Sequence, residues 1–188
     1  MTMTPSTMLA LGTPAPAFEL PDTVSGKTMS YASLRSDSAT VVMFICNHCP
    51  YVKHILAELL ELAREYQPRG VAFVAISSND AESHPDDSPE NMKKLAQAQA
   101  FPFPYLHDAT QAVARAFDAV CTPEFYVFDG HDKLVYRGRM DAATPKNSEP
   151  NDGRDLRAAL DAILAGNAVN PDQKPSLGCN IKWVRARA

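Results

Sequence analysis

The stretch Val41-Val-Met-Phe-Ile-Cys46-Asn-His-Cys49-Pro50 decides the fold of this chain. Its first six residues are continuously apolar and partly β-branched, which is typical of a strand buried on both faces. Apolar residues then recur at intervals of three and four over 51–66, which predicts an amphipathic helix. The pair Cys46 and Cys49 is therefore predicted to lie where a buried strand passes into a helix.

The patterns on either side of this junction predict an α/β fold. In chain order they predict a strand over 71–77, a helix that starts at Ser88-Pro89-Glu90, a short strand over 103–106, a short helix from an Asp108 cap to residue 117, a hairpin with strands over 124–129 and 133–139, and a last helix over 154–165. This order demands a mixed central sheet with helices on both faces. We expect a single domain over 1–188, with a lead-in of short strands over 1–40 and an irregular tail over 167–188.

Composition excludes several classes of partner. The net charge is -4, and Lys and Arg form no dense tract, so the chain lacks the basic surface of a nucleic-acid binder. The first eight residues lack the basic and apolar regions of a secretory signal. The longest apolar run, 41–46, is far shorter than the roughly 20 residues that span a bilayer. We expect a cytoplasmic protein with no nucleic-acid or membrane partner, whereas the sequence leaves the oligomeric state open.

The Cys46-x-x-Cys49 pair has the spacing of a redox dithiol. A helix N-terminus presents unpaired N–H groups and partial positive charge, so it stabilises a thiolate. We predict that Cys46, expected to be the more exposed, is the attacking thiol and that Cys49 resolves the mixed disulfide. His48 could favour the Cys46 thiolate as an imidazolium, or it could be an exposed turn residue.

Two other interpretations of the cysteine pair remain open. Cys46 and Cys49, with His48 or His54, could hold soft copper, for which thiolates and imidazole are suited. A tetrahedral zinc site would need a second ligand pair that the sequence does not provide. The thiols could also be buried and inert. We expect no organic cofactor and no resident metal.

Several motifs together resemble the peroxiredoxin-like branch of the thioredoxin superfamily, which includes alkyl hydroperoxide reductases and cytochrome-biogenesis thiol oxidoreductases. They are Gly12-Thr-Pro-Ala-Pro16-x-Phe18 with Leu20-Pro21-Asp22, the Cys46-Asn-His-Cys49-Pro50 junction, the predicted helix and strand inserted between the βαβ and ββα halves, and Thr122-Pro123. The resemblance implies a thioredoxin-like fold. It also implies that the Thr122-Pro123 peptide bond is cis and faces the dithiol.

The sequence departs from that family in two places. Neither cysteine carries the P-x-x-x-T-x-x-C signature of true peroxiredoxins, because Ala39 and Val42 stand where the proline is expected. Thr40 stands where thioredoxins have a buried acidic residue. Glu124, beside Pro123, is the nearest candidate proton acceptor, although it could equally be a solvated carboxylate at a strand end.

The two remaining cysteines are candidate auxiliary thiols. The inferred fold brings Cys121 near the dithiol, and Cys179 lies in the predicted irregular tail. They could pair with each other, relay electrons, or be small buried hydrophobic residues. The predicted function is thiol:disulfide exchange with protein or small-molecule thiols and disulfides. The alternatives are a thiol-dependent hydroperoxide reductase and a copper- or metal-binding thioredoxin-fold module.

Overall fold

The computed structural model describes residues 3–184, which form ten strands and five α-helices. The strands are β1 (Met3–Pro5), β2 (Glu19–Pro21), β3 (Thr28–Ser30), β4 (Ala39–Phe44), β5 (Val71–Ser77), β6 (Tyr105–His107), β7 (Cys121–Thr122), β8 (Glu124–Asp129), β9 (Leu134–Gly138) and β10 (Leu177–Asn180). The helices are α1 (Tyr31–Leu34), α2 (Pro50–Tyr66), α3 (Pro89–Ala98), α4 (Ala112–Ala116) and α5 (Arg154–Leu164).

Five of these strands form the central mixed sheet, in the order β6-β5-β4-β8-β9. Strand β4 runs parallel to β5 and antiparallel to β8, and β5 runs parallel to β6. The helix α3 and strand β6 form the predicted insertion between the βαβ half and the hairpin half. The predicted mixed sheet of an α/β, thioredoxin-like fold is confirmed.

Both faces of the central sheet are covered, as the continuous apolar run of β4 requires. Alternate β4 side chains face opposite ways, so Val41 and Met43 pack with helices α2, α3 and α5, while Val42 and Phe44 pack with α4 and the lead-in. Helix α2 packs its apolar stripe against the face of the sheet that carries Val41 and Met43, and Leu59 is fully buried there. Burying such a leucine side chain contributes about 1.5–3 kcal/mol. Strand β4, which leads into the loop that carries the dithiol, is therefore buried along its whole length.

The prediction of an irregular tail over 167–188 is wrong for Leu177–Asn180, which form strand β10. Strand β10 lies between β1 and β7 in a second, antiparallel sheet, with Cys179 opposite Met3 on one side and Thr122 on the other. Its four residues have no strong strand pattern of their own, and backbone pairing with two distant segments orders them. Residues 185–188 of the predicted tail lie outside the described residues.

Most other boundaries agree with the predictions to within two residues. Strand β4 ends at Phe44, two residues before Cys46, and β6 begins at Tyr105 instead of at 103. Asp108 does not occupy the N-cap of α4, which is Gln111, although its Oδ2 accepts a hydrogen bond from the Ala114 amide inside that helix. Over residues 3–184, no helix combines the length and the apolar character needed to cross a membrane.

Candidate active site

The two cysteines of the C-x-x-C pair lie in the loop between β4 and α2. The loop starts as the Ile45 amide bonds to the Ile76 carbonyl oxygen, which continues the sheet for one residue beyond β4. Cys49 is the N-cap of α2, and Pro50 occupies the first turn, where its missing N–H leaves no helix bond unmade. Cys46 and Cys49 are 1% and 0% exposed, so exposure does not distinguish them. The predicted greater exposure of Cys46 is wrong.

Thr122, the last residue of β7, contacts the thiols of both Cys46 and Cys49. Its Oγ1 lies 3.3 Å from Cys46 Sγ, and its carbonyl oxygen accepts a hydrogen bond from the Cys49 thiol at 3.2 Å. The Thr122-Pro123 peptide bond is cis, as the resemblance implied. Pairing of Phe44 with Glu124, across β4 and β8, brings this segment beside the dithiol. The implied position of the Thr122-Pro123 segment beside the dithiol is confirmed.

Cys179 is the third thiol at this site. Its Sγ lies 2.9 Å from Cys49 Sγ, although the two residues are 130 positions apart in the chain. Cys179 and Thr122 are opposite partners across β10 and β7, so their side chains share one face of the small sheet. All four cysteines of the chain are buried and none forms a disulfide.

Cys121 and Glu124 form a separate buried pair. Because side chains alternate along a strand, Cys121 faces away from Thr122, and its Sγ lies 3.7 Å from Glu124 Oε2. Glu124 also accepts hydrogen bonds from the Tyr126 hydroxyl and the Val120 amide, and it is 1% exposed. Burial raises the pKa of both Cys121 and Glu124. The solvated interpretation of Glu124 is therefore wrong, and its hydrogen bonds go to Cys121 and Tyr126 instead of to the dithiol.

The acidic group beside the dithiol is Asp87, which the sequence analysis did not single out. Asp87 is fully buried, and its Oδ1 accepts hydrogen bonds from the backbone amides of Asn47, at 2.7 Å, and His48, at 3.3 Å. Its Oδ2 contacts His48 Nδ1 at 2.5 Å and accepts from Asn79 Nδ2 at 2.7 Å. The two amides lie between the cysteines, so this carboxylate fixes the backbone of the C-x-x-C loop.

His48 is neither an exposed turn residue nor a direct hydrogen-bond partner of the thiols. Its ring binds Asp87 through Nδ1 and stacks on His84 at a centroid distance of 5.2 Å. Its Nε2 is buried and has no hydrogen-bond partner among residues 3–184. One ligand atom each from Cys46, His48 and Asp87 lie within 4.8 Å of one another. This thiol, imidazole and carboxylate set could bind a metal ion, which would compete with the short hydrogen bond between His48 and Asp87. The candidate copper ligand His54 is not a member of this set.

The thiolate of this site is best stabilised at Cys49. The hydrogen bond with the Cys46 thiol is the largest cause, and the Cys179 thiol and the backbone amides of Val52 and Cys179 add to it, lowering the pKa of Cys49 to about 5 against the effect of burial. The Thr122 carbonyl oxygen accepts only from the protonated form, so it opposes the shift, but the donors outnumber it.

Cys46 keeps its proton in the same arrangement. The hydrogen bond to Cys49, burial and the negative charge of Asp87 raise the pKa of Cys46, in that order of importance. Two expectations led to the assignment of Cys46 as the attacking thiol: a position at the helix N-terminus and greater exposure than Cys49. Neither holds, because Cys49 is the N-cap of α2 and Cys46 is not the more exposed of the two.

Comparison with known proteins identifies the family. The family model described as AhpC/TSA family matches residues 11–137, which include the dithiol, the inserted helix and strand, and Thr122-Pro123. The chain belongs to the AhpC/TSA family. Membership in the AhpC/TSA family places it among peroxiredoxin-like and thioredoxin-like redox proteins.

Two solved structures resemble the whole of this AhpC/TSA protein. A conserved protein of Geobacillus kaustophilus is 54% identical, with a TM-score of 0.98 over 100% of this chain and 99% of that one. A hypothetical protein of Sinorhizobium meliloti is 44% identical, with a TM-score of 0.94 over 97% and 100% of the two chains. Peroxidoxin BcpB of Mycobacterium tuberculosis shares the thioredoxin fold at 22% identity, with a TM-score of 0.61 over 83% of this chain and 96% of its own.

Proposed function

We propose that this AhpC/TSA protein is a thiol:disulfide oxidoreductase whose redox pair is Cys46 and Cys49. The observation that supports it most strongly is that Cys49 accepts hydrogen bonds from a neighbouring thiol and from backbone amides, which favours a thiolate at neutral pH. The thiolate is the nucleophile in disulfide exchange. Cys46 lies within hydrogen-bond distance of it and supplies the second sulfur of a disulfide.

The reaction proceeds in two exchanges. The Cys49 thiolate attacks one sulfur of a substrate disulfide, a mixed disulfide forms, and the other substrate sulfur leaves as a thiolate. Cys46 then loses its proton and attacks Cys49 Sγ, which releases the second substrate thiolate. The substrate gains two electrons and becomes a dithiol, while Cys46 and Cys49 become a disulfide. The reverse sequence oxidises a substrate dithiol.

Alkylation across pH tests this proposal. Iodoacetamide should label Cys49 of the reduced protein with a rate that is half-maximal near pH 5, because its pKa is lowered to about 5. Below that pH the thiol is protonated and labelling should slow about tenfold per unit. Cys46 and Cys49 share the tryptic peptide 36–53, so fragmentation in the mass spectrometer must assign the label. Cys49→Ser should lose both the fast labelling and the reduction of oxidised glutathione.

Cys121→Ser is the matched control, because Cys121 is equally buried and binds Glu124. It should retain fast labelling and exchange. Fast labelling of Cys46 instead would reverse the roles of the two thiols and return them to the order that the sequence predicted. Full activity in both Cys46→Ser and Cys49→Ser would exclude the dithiol function.

Peroxide reduction is the second candidate function, and family membership favours it. The same thiolate could attack hydrogen peroxide and become a sulfenic acid, which a neighbouring thiol would convert to a disulfide with loss of water. The chain lacks the P-x-x-x-T-x-x-C signature at both cysteines, so we give priority to disulfide substrates. Replacing glutathione disulfide by hydrogen peroxide in the assay above compares the two directly.

A further inference from the structure

The C-terminal strand brings a third cysteine to the sulfur that reacts. Cys179 Sγ lies 2.9 Å from Cys49 Sγ, on the side of Cys49 that faces the small sheet. Cys46 approaches the same sulfur from the β4 end of the loop. Cys49 therefore has two thiols within hydrogen-bond distance, and each is a candidate to attack a mixed disulfide formed at Cys49.

The placement of Cys179 is fixed by backbone pairing. Strand β10 pairs with β1 and β7 on its two sides, and Cys179 is in register with Thr122, which contacts both Cys46 and Cys49. The neighbouring Gly178 allows a close approach, because a Cβ there would lie 2.0 Å from the Thr122 carbonyl oxygen. The pairing of β10 with β1 and β7 therefore holds the Cys179 thiol beside Cys46 and Cys49.

We propose that Cys179 is a second resolving thiol, which attacks the mixed disulfide at Cys49 in competition with Cys46. This inference rests on the proposed exchange reaction at Cys49. In the step, Cys179 Sγ bonds to Cys49 Sγ, the bond between Cys49 and the substrate sulfur breaks, and the substrate leaves as a thiolate that takes up the proton lost by Cys179. The product is a disulfide between Cys49 and Cys179, with Cys46 still a thiol.

The charges around the two candidate resolving thiols favour Cys179. Burial, and then the hydrogen bond and charge of Cys49, raise the pKa of Cys179 to about 12, whereas Lys182 lowers it. Once Cys49 is in a mixed disulfide, its negative charge is gone and the lowering by Lys182 remains. Cys46 also loses the effect of Cys49, and its hydrogen bond with Thr122 lowers its pKa, but the carboxylate of Asp87 remains and is a negative charge that Cys179 does not face.

The test uses the aromatic disulfide dithiobis(nitrobenzoate), which releases one coloured thiolate on attack and a second on resolution. Native, reduced wild-type protein and the Cys46→Ser variant should both release two coloured thiolates for each Cys49, because Cys179 resolves the adduct when Cys46 is absent. The double variant Cys46→Ser with Cys179→Ser should release one and retain the nitrobenzoate adduct in the intact mass. Cys121→Ser is the control and should behave as wild type.

Peptide mapping without reduction gives an independent readout in the unmodified protein. Tryptic peptides 36–53 and 158–182 should be linked, with fragmentation assigning the link to Cys49 and Cys179. A stalled adduct on Cys46→Ser, together with no such linked peptide in wild type, would overturn the role of Cys179 and leave the proposed exchange intact. No release by the wild type would overturn both proposals.

Discussion

At the scale of single residues, Asp87 joins the dithiol loop to the segment that precedes α3. Its carboxylate accepts four hydrogen bonds, two of them from the amides between Cys46 and Cys49. Hydrogen bonds to charged groups contribute about 1.5–3 kcal/mol each, so the Asp87 carboxylate strongly stabilises the conformation of the dithiol loop. The same charge opposes ionisation of Cys46. Asp87 is therefore a positioning residue that also biases which thiol ionises.

Replacing this carboxylate should separate its two effects. Asp87→Asn should lower the pKa of Cys46, because a negative charge that disfavours the thiolate is removed. Iodoacetamide rates across pH in Cys49→Ser, with and without Asp87→Asn, measure the shift free of coupling to Cys49. The free energy of unfolding should also fall by about 1–3 kcal/mol.

The matched control for this change is Asp86→Asn, since Asp86 is the adjacent carboxylate and is exposed. It should change neither the pH profile of Cys46 nor the stability. A Cys46 profile that is identical with and without Asp87→Asn would show that the carboxylate acts on the loop geometry alone.

At the scale of elements, strand β10 covers the dithiol. Cys46, Cys49 and Cys179 are all at most 2% exposed, so a disulfide substrate reaches Cys49 only when a covering segment moves, and β10, whose Cys179 contacts Cys49, is one such segment. Strand β10 is short and its contact with β7 involves two residue pairs. Because β10 also pairs with β1 over three residue pairs, β1 and β10 could separate together from β7 when only the two pairs with β7 break.

Gly178→Ala should loosen this cover. The new Cβ would meet the Thr122 carbonyl oxygen at 2.0 Å, so the pairing of β10 with β7 must shift. Overpacking of this kind typically costs about 1–3 kcal/mol, and 1.4 kcal/mol is a tenfold change in an equilibrium. Alkylation of Cys49 at neutral pH should therefore become about tenfold faster. Leu177→Ala, on the same strand but 40% exposed, is the control and should leave the rate unchanged. An unaltered rate in Gly178→Ala would mean that β10 does not limit access.

At the scale of the whole molecule, the five-stranded central sheet and the three-stranded sheet of β1, β10 and β7 differ in how firmly they are held. The central sheet has helices on both faces, and every residue of β4 is buried. The three-stranded sheet of β1, β10 and β7 has strands of two to four residues, and Met3 and Leu177 are exposed. Segments with few buried apolar contacts open at lower free energy than core strands.

Hydrogen exchange should resolve these two levels of stability. In the reduced protein the amides of β10 should exchange well before those of β4 and β5, because β10 can open without disrupting the core. The proposed disulfide between Cys49 and Cys179 should slow the exchange of β10 selectively. Exchange of β10 and β4 at one common free energy would mean that the cover opens only on global unfolding.

The sequence by itself determined the elements whose signals are local. The continuous apolar run over 41–46 and the spacing over 51–66 predicted β4 and α2 to within two residues, because a buried strand and an amphipathic helix each leave their period in the chain. The C-x-x-C pair at their junction was identified from its spacing. The segment Thr122-Pro123 was identified from the resemblance to the thioredoxin superfamily.

Only the tertiary structure decided which groups surround the reactive sulfur. Asp87 reaches the loop across about 40 positions of the chain and Cys179 across 130, and Glu124, adjacent to Pro123, faces the other side of the sheet. Such contacts depend on strand register and on which face a side chain takes, and neither leaves a periodic mark on the sequence. The order in which the thiols ionise follows from those neighbours, since donors and charges within a few ångströms set a pKa.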